Sequence, residues 1–188
     1  MNQSDESLVA VYRAGSEPAF EELVARHIGG VYSFALRLVG ETYAAQDIVQ
    51  EVFVKVWRSI NTFDPAQAAF KTWLMRIARN SSIDYLRKRK MIPLSAFDTE
   101  DGNAVSDTLA DDSLGVEEEL SNLEDQQQVM SAVEQLPLPQ REVLLLHYQQ
   151  GLTFDEIGVV LQSSPNTVKS RHRRALHRLR QTVRILPI

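Results

Sequence analysis

Apolar positions recur along most of this chain three and four residues apart, the spacing that lines one face of an α-helix. The alternation of a half-buried strand is almost absent. Phe20, Leu23, Val24, Ile28, Val31, Leu36 and Val39 draw one such face, between Ser16 as a candidate N-cap and Gly40 as a stop. The Gly29-Gly30 pair within it predicts a bend, because glycine lowers helix propensity. A shorter helix from Glu6 to Ala14 precedes it and stops at Gly15. From about Thr42 to Ile60 the apolar stripe is wide, comprising Ile48, Val49, Val52, Phe53, Val56, Trp57 and Ile60. The opposite face carries Asp47, Gln50, Glu51, Val54, Lys55 and Arg58. Asp64-Pro65 marks a turn or a new helix start. A further long helix runs from about Phe70 toward Lys90, with Phe70, Trp73, Leu74, Ile77 and Leu86 as its apolar positions and Pro93 just beyond.

From Ile92 to about Asn122 large apolar residues are scarce and Asp, Ser and Gly abound, so this stretch reads as a mobile linker. Helical spacing resumes at about Leu123, with helices expected over Glu124–Gln135, Arg141–Gln150, Phe154–Gln162 and Pro165–Arg184. The predicted fold class is all-α: two small helical domains, residues 1–91 and 123–188, joined by a flexible acidic linker over 92–122.

Composition changes this picture little until charge is resolved along the chain. The 188 residues, 44% of them hydrophobic, suit a folded protein with one ordinary domain or two small ones. No run approaches the ~18 apolar residues of a membrane span, and the polar, acidic start is unlike a signal peptide. Cysteine is absent, which excludes disulfides and cysteine-ligated zinc. A soluble cytoplasmic protein is expected. The net charge of −5 conceals segregation. Lys71 to Lys90 holds seven basic residues against Asp84 alone, and Lys169 to Arg184 holds seven with no acid. Between them, Met91 to Asp125 carries eleven acids and no base. Two anion-binding surfaces joined by an acidic connector would produce this pattern, although solvated helix faces would also do so.

Residues 151 to 180 supply the sharpest local signal, that of a helix-turn-helix. Gly151 can close the preceding helix in the left-handed conformation. Thr153 and Glu156 have capping-box spacing, and Leu152 and Ile157 that of a hydrophobic staple. After the turn Gln162-Ser163-Ser164, Ser164 suits an N-cap and Pro165 a first helical position. Val168, Ala175, Leu176, Leu179 and Val183 fall on the inner side of the second helix. Asn166, Lys169, Ser170, Arg173, Arg174 and His177 fall near its outer side. The second helix of such a motif enters the major groove, where arginine can grip guanine and asparagine can read adenine. The remaining bases would neutralise phosphates.

Leu136 to Arg180, with its TVKSR core (Thr167 to Arg171) and the RRAL that follows, resembles the fourth region of the extracytoplasmic-function group of sigma factors. DIVQEVFVKVW (Asp47 to Trp57) is similar to the polymerase-binding helix of that family's second region. FKTWLMRIARNSSIDYLRKRK (Phe70 to Lys90) resembles the part that melts and reads the minus-ten element. The resemblance covers nearly the whole chain except its first residues and the linker. It implies a transcription initiation factor, without enzymatic activity or cofactor, whose partners are core RNA polymerase, promoter DNA and a membrane-linked anti-sigma factor. It implies polymerase docking through Asp47, Gln50, Glu51, Val54, Lys55 and Arg58. Minus-ten DNA would fall to Lys71, Thr72, Trp73, Arg76, Arg79, Asn80, Arg87 and Lys88, by backbone charge, stacking and a hydrogen bond to an extruded base. The minus-thirty-five element would fall to Ser164, Asn166, Thr167, Lys169, Ser170, Arg171, Arg173, Arg174 and His177. The acidic linker would thread the polymerase's channels.

Two positions depart from the family pattern. His172 replaces an aliphatic residue on or near the buried side of the recognition helix, and Pro165-Asn166 replaces a glycine-containing turn. Two other classes of function stay open at this point. An enzyme using Asp47 and Glu51 would need a histidine, metal-ligand pattern or phosphate-binding glycine loop that does not accompany them. A stand-alone helix-turn-helix regulator would bind a duplex operator by itself, as a symmetric dimer.

Overall fold

Residues 3–89 and 123–185 are described by the structure, a computed structural model. Lys90, the linker with its acids, and the side chains of Val183 and Arg184 lie outside the described residues. Helix α1 (Asp5–Arg13) opens on Ser4, whose Oγ accepts from the Ser7 N–H, and ends before Gly15 at φ +105°. Helix α2 (Glu17–Val39) is continuous through Gly29-Gly30 and closes on Gly40 at φ +74°. Ser16 occupies its N-cap but makes no side-chain cap bond, so the expected cap is positional only; Pro18 supplies the start. Helix α3 (Thr42–Ser59) passes into a 3₁₀ turn at Ile60–Thr62, and α4 (Phe70–Lys88) follows a loop.

The loop and the start of α4 are held from far away in sequence. Arg13 donates from one guanidinium nitrogen to the carbonyls of Ile60 and Phe63, both at 2.6 Å. No side chain near Ala69 caps α4; instead Glu6 accepts from the Phe70 N–H at 3.0 Å. Phe63, Phe70 and Trp73 then form a ring cluster with centroids 5.5–5.8 Å apart. Around it Leu8, Leu23, Phe34, Leu38, Ile48, Val52 and Leu74 are almost wholly buried. Truncating Phe34, with no exposed surface, would cost about 3–5 kcal/mol.

In the C-terminal part, α5 (Leu123–Glu134) leads to α6 (Leu138–Leu144), which begins earlier than the periodicity suggests because Pro139 fits its first turn. The expected helix to Gln150 instead ends in a π-type turn, Leu145–Gln149. The Gln150 N–H reaches back to the Leu145 carbonyl (3.2 Å), and Gly151 at φ +66° turns the chain. Helices α7 (Phe154–Leu161) and α8 (Pro165–Ile185) complete it. Val143, Leu146, Leu152, Ile157, Val160, Val168, Ala175 and Leu179 form the interior here, continuous with that of the N-terminal part.

The two parts do not stand apart: α7 packs on α4, and α6 and the π turn pack on α2. No strand occurs among the described residues, and none of their helices is long and apolar enough to cross a membrane.

Candidate nucleic-acid and protein interfaces

The helix-turn-helix is built by reciprocal capping. Thr153 Oγ1 accepts from the Glu156 N–H (3.3 Å), while the Glu156 carboxylate accepts from the Thr153 N–H (2.8 Å), the box that the spacing predicts. These bonds, the Thr153 N–H first, hold the Glu156 carboxyl below the usual carboxylate range against the opposing effect of burial. Gln162 takes the left-handed conformation (φ 53°), and the Ser163 N–H bonds the Gly158 carbonyl at 3.0 Å. Ser164 then accepts from the Thr167 N–H at 3.1 Å and starts α8. Gly158 is a requirement that local spacing does not announce: a Cβ there would stand 2.9 Å from the Ser163 carbonyl oxygen.

Along α8, Asn166, Lys169 and His177 are exposed, and Thr167, Ser170, Arg173 and Arg174 are half-buried, together forming one outward stripe. Arg171 differs. It is 8% exposed and lies 3.5 Å from Ser163 Oγ, so in this conformation it braces the turn rather than facing outward. His172 is packed in a ring cluster with His147, Tyr148 and Phe154, its Nε2 3.2 Å from the Tyr148 hydroxyl. Burial, aided by His147, pushes its pKa down to about 4, so it is neutral at physiological pH. No group of three His, Cys, Asp or Glu side chains suited to a metal occurs among the described residues.

On α3, Asp47, Gln50, Glu51, Val54 and Arg58 are exposed on one face, and Lys55 pairs with Glu51 while donating to Ser81 Oγ at 2.9 Å. The sequence places Trp57 in the buried stripe, and the structure corrects this: it is 58% exposed, one turn beyond Val54 on the same outward face. The indole lies beside exposed Val54, so the apolar surface of this face is grouped rather than scattered. Between α3 and α4 lies an open groove of about 520 Å³, lined by Lys55, Arg58, Ser59, Ile77, Asn80 and Asp84.

The candidate strand-holding residues of α4 divide. Asn80, Arg87 and Lys88 are exposed, and Lys71 and Arg76 are half-buried. Trp73 belongs to the core, with 9% of its surface exposed. Thr72 is buried beneath the C-terminal part, and Arg79 is paired with Glu142 of α6 at 2.7 Å. Sequence reasoning offers no sign of that pairing.

Residues 23–91 match Sigma-70 region 2, and residues 126–179 match Sigma-70 region 4. The ECF RNA polymerase sigma factor SigW of Bacillus subtilis is 33% identical over 177 residues, covering 93% of this chain and 94% of its own length. The ECF RNA polymerase sigma-E factor of Escherichia coli is 32% identical over 179 residues, covering 92% and 90%. Among solved structures, CnrH in complex with the cytosolic domain of CnrY matches with a TM-score of 0.69 and 27% identity, over 96% of this chain and 97% of that one. The fold is also that of RpoE in complex with the anti-sigma factor NepR from Bartonella quintana, with a TM-score of 0.64, 23% identity and coverage of 89% and 98%. With both regions present in order on a two-part helical fold, the chain belongs to the extracytoplasmic-function group of sigma-70 RNA polymerase sigma factors.

Proposed function

We propose that this chain, in the cytoplasm, binds core RNA polymerase through the α3 face of Asp47, Gln50, Glu51, Val54, Lys55 and Arg58, with Trp57 extending that face. Residues 1–91 serve the polymerase and the minus-ten element, residues 92–122 connect, and residues 123–188 read the minus-thirty-five element. On α4, Lys71, Arg76, Arg87 and Lys88 follow the phosphates of the non-template strand, and Asn80 bonds a base edge displaced into the adjoining groove. On α8, Asn166, Lys169, Ser170, Arg173, Arg174 and His177 face the major groove, and Ser164 and Thr167 set the helix start. The observation that carries this reading is the outward, charged α8 stripe on a fully capped helix-turn-helix, in one chain with an exposed α3 face.

Because the neighbours CnrH and RpoE were solved with CnrY and the anti-sigma factor NepR, an anti-sigma protein is the expected regulator here too. Run-off transcription from host genomic fragments, with purified core polymerase and with or without this chain, tests the reading. Discrete new transcripts that need the chain are expected. A folded chain that fails to bind core polymerase, yet binds a palindromic duplex as a dimer, would replace it with a stand-alone regulator.

A further inference from the structure

Glu41 stands at the N-cap position of α3, where a short polar side chain would accept from the first turn, yet it makes no cap bond. Its carboxylate is turned to the end of α4 instead. One oxygen, Oε2, accepts from the Tyr85 hydroxyl at 3.0 Å and from a terminal nitrogen of Arg89 at 2.9 Å. The Arg89 guanidinium carbon lies 5.1 Å from the centroid of the Tyr85 ring, so a carboxylate and an aromatic face hold the cation together. Burial first, and then Glu41, raise the Tyr85 hydroxyl above its usual range, so it stays a donor. Arg89 is the C-cap of α4 and is exposed; Arg87 and Lys88, also exposed, precede it in the last turn.

Two donors converging on one anionic oxygen are an anion site already assembled, and a phosphate oxygen asks for the same donors. The carboxylate that fills the site is 42% exposed and its partner Arg89 55%, so their ion pair is of the weak surface kind and open to exchange. A displaced carboxylate is not stranded. The first turn of α3 carries no acid, and its backbone N–H groups and helix dipole favour an anion there.

We infer that Tyr85 and Arg89 form a nucleic-acid phosphate site at the end of α4, that Glu41 fills it in the free chain as a stand-in for the phosphate, and that strand binding exchanges the two. Glu41 thereby subtracts sequence-independent affinity from α4 and leaves a larger share of the discrimination to base contacts. The inference rests on the proposed role of α4 in holding DNA.

Binding of the full chain to a dye-labelled random-sequence single strand, followed by fluorescence anisotropy through a salt titration, tests it. Glu41→Gln keeps an acceptor for Tyr85 and removes the charge, and should bind about two- to fivefold more tightly at low salt. Its salt slope should steepen by about 0.7, the release of one more counterion. Glu41→Asp keeps the charge, but its shorter side chain suits the cap of α3 rather than the reach to Arg89, so it should also bind more tightly. Arg89→Ala should weaken binding, and should abolish both gains when combined with either substitution. Unchanged or weaker binding by Glu41→Gln would overturn the inference. So would a gain that survives Arg89→Ala, or a Glu41→Asp variant that binds as the unsubstituted chain does, since each marks a general effect of charge. Lys88→Ala separates this inference from the reading beneath it. Weaker binding by Lys88→Ala, with no gain from Glu41→Gln, refutes the exchange alone. Lys88→Ala and Arg89→Ala both without effect would remove α4 from the strand, and this inference with it.

Discussion

Alanine should stabilise at one helical glycine, Gly29, and not at another, Gly158. At Gly29 of α2 an added Cβ meets nothing within 4 Å, and the site is exposed. Alanine is preferred to glycine inside a helix by about 0.8–1.0 kcal/mol, so Gly29→Ala should stabilise the chain by about that much. At Gly158 of α7 the same preference is opposed by a collision. The Cβ would lie 2.9 Å from the Ser163 carbonyl oxygen and within 4 Å of Pro165 N and Cδ. These atoms are backbone and a proline ring, held by the 3.0 Å bond from Ser163 N–H to the Gly158 carbonyl, so no flexible side chain can yield. Overpacking of this kind costs about 1–3 kcal/mol, which makes Gly158→Ala neutral to about 2 kcal/mol destabilising. The two variants should therefore differ by about 1–3 kcal/mol. Urea unfolding of the full chain, followed by helical circular dichroism, measures this difference directly when the slopes agree. Equal stabilisation by both substitutions would refute the claim that the turn after α7 has room only for glycine.

Removing the cap hydroxyl with Thr153→Ala should cost about 1 kcal/mol in the same unfolding assay. Because the folded-state carboxyl of Glu156 is held below its ordinary range, its contribution is full above that range and is lost as pH falls through it. The acid limb of the stability curve should accordingly flatten in Glu156→Gln, and less so in Thr153→Ala, which keeps the backbone N–H; an unchanged limb in Glu156→Gln would count against the box. His172, ordinarily at 6.5 and here at about 4, should show no imidazole titration by NMR between pH 5.5 and 8 (on the order of one and a half units above its folded value). Its neutral burial stabilises the fold above the ordinary value and does so less and less as pH falls from 6.5 to about 4, a loss that His172→Leu should remove. Trp57→Ala should leave the unfolding midpoint nearly unchanged yet weaken core polymerase binding about tenfold or more, read by competition binding. Loss of stability with intact binding would return Trp57 to the core.

Much of the fold was legible because helix signals act over a few residues. Thr153 and Glu156 are three apart and satisfy each other's donors, so their spacing alone announces the start of α7. Gly40 and Gly151 stop helices at positive φ for the same local reason. The α8 stripe follows from periodicity, which sorts Val168 and Ala175 inward and Asn166 and Lys169 outward. What escaped was set by groups distant in sequence. Trp57 adjoins buried Val56 in an apolar run, but it lies on the exposed face of α3 with Val54. Gly158 is demanded by a carbonyl five residues ahead, across a turn whose geometry depends on left-handed Gln162. Arg171 continues a basic run, yet the return of the turn buries it. The Arg79–Glu142 pair spans 63 residues, and neither charge looks unusual in its own segment.

The family match begins at residue 23, but the mechanical unit begins earlier. Helix α1 lies wholly outside that match and still supplies Leu8 and Val9 to the interior, the Asp5 partner of His27, and the guanidinium that ties down Ile60 and Phe63. Cutting the chain at the matched boundary would therefore strip the clamp from the loop that delivers α4, and would leave the Phe70 N–H without its Glu6 acceptor. Anyone isolating the first half for DNA or polymerase work should keep the chain from Ser4 onward. The matched region and the load path have different edges in this protein.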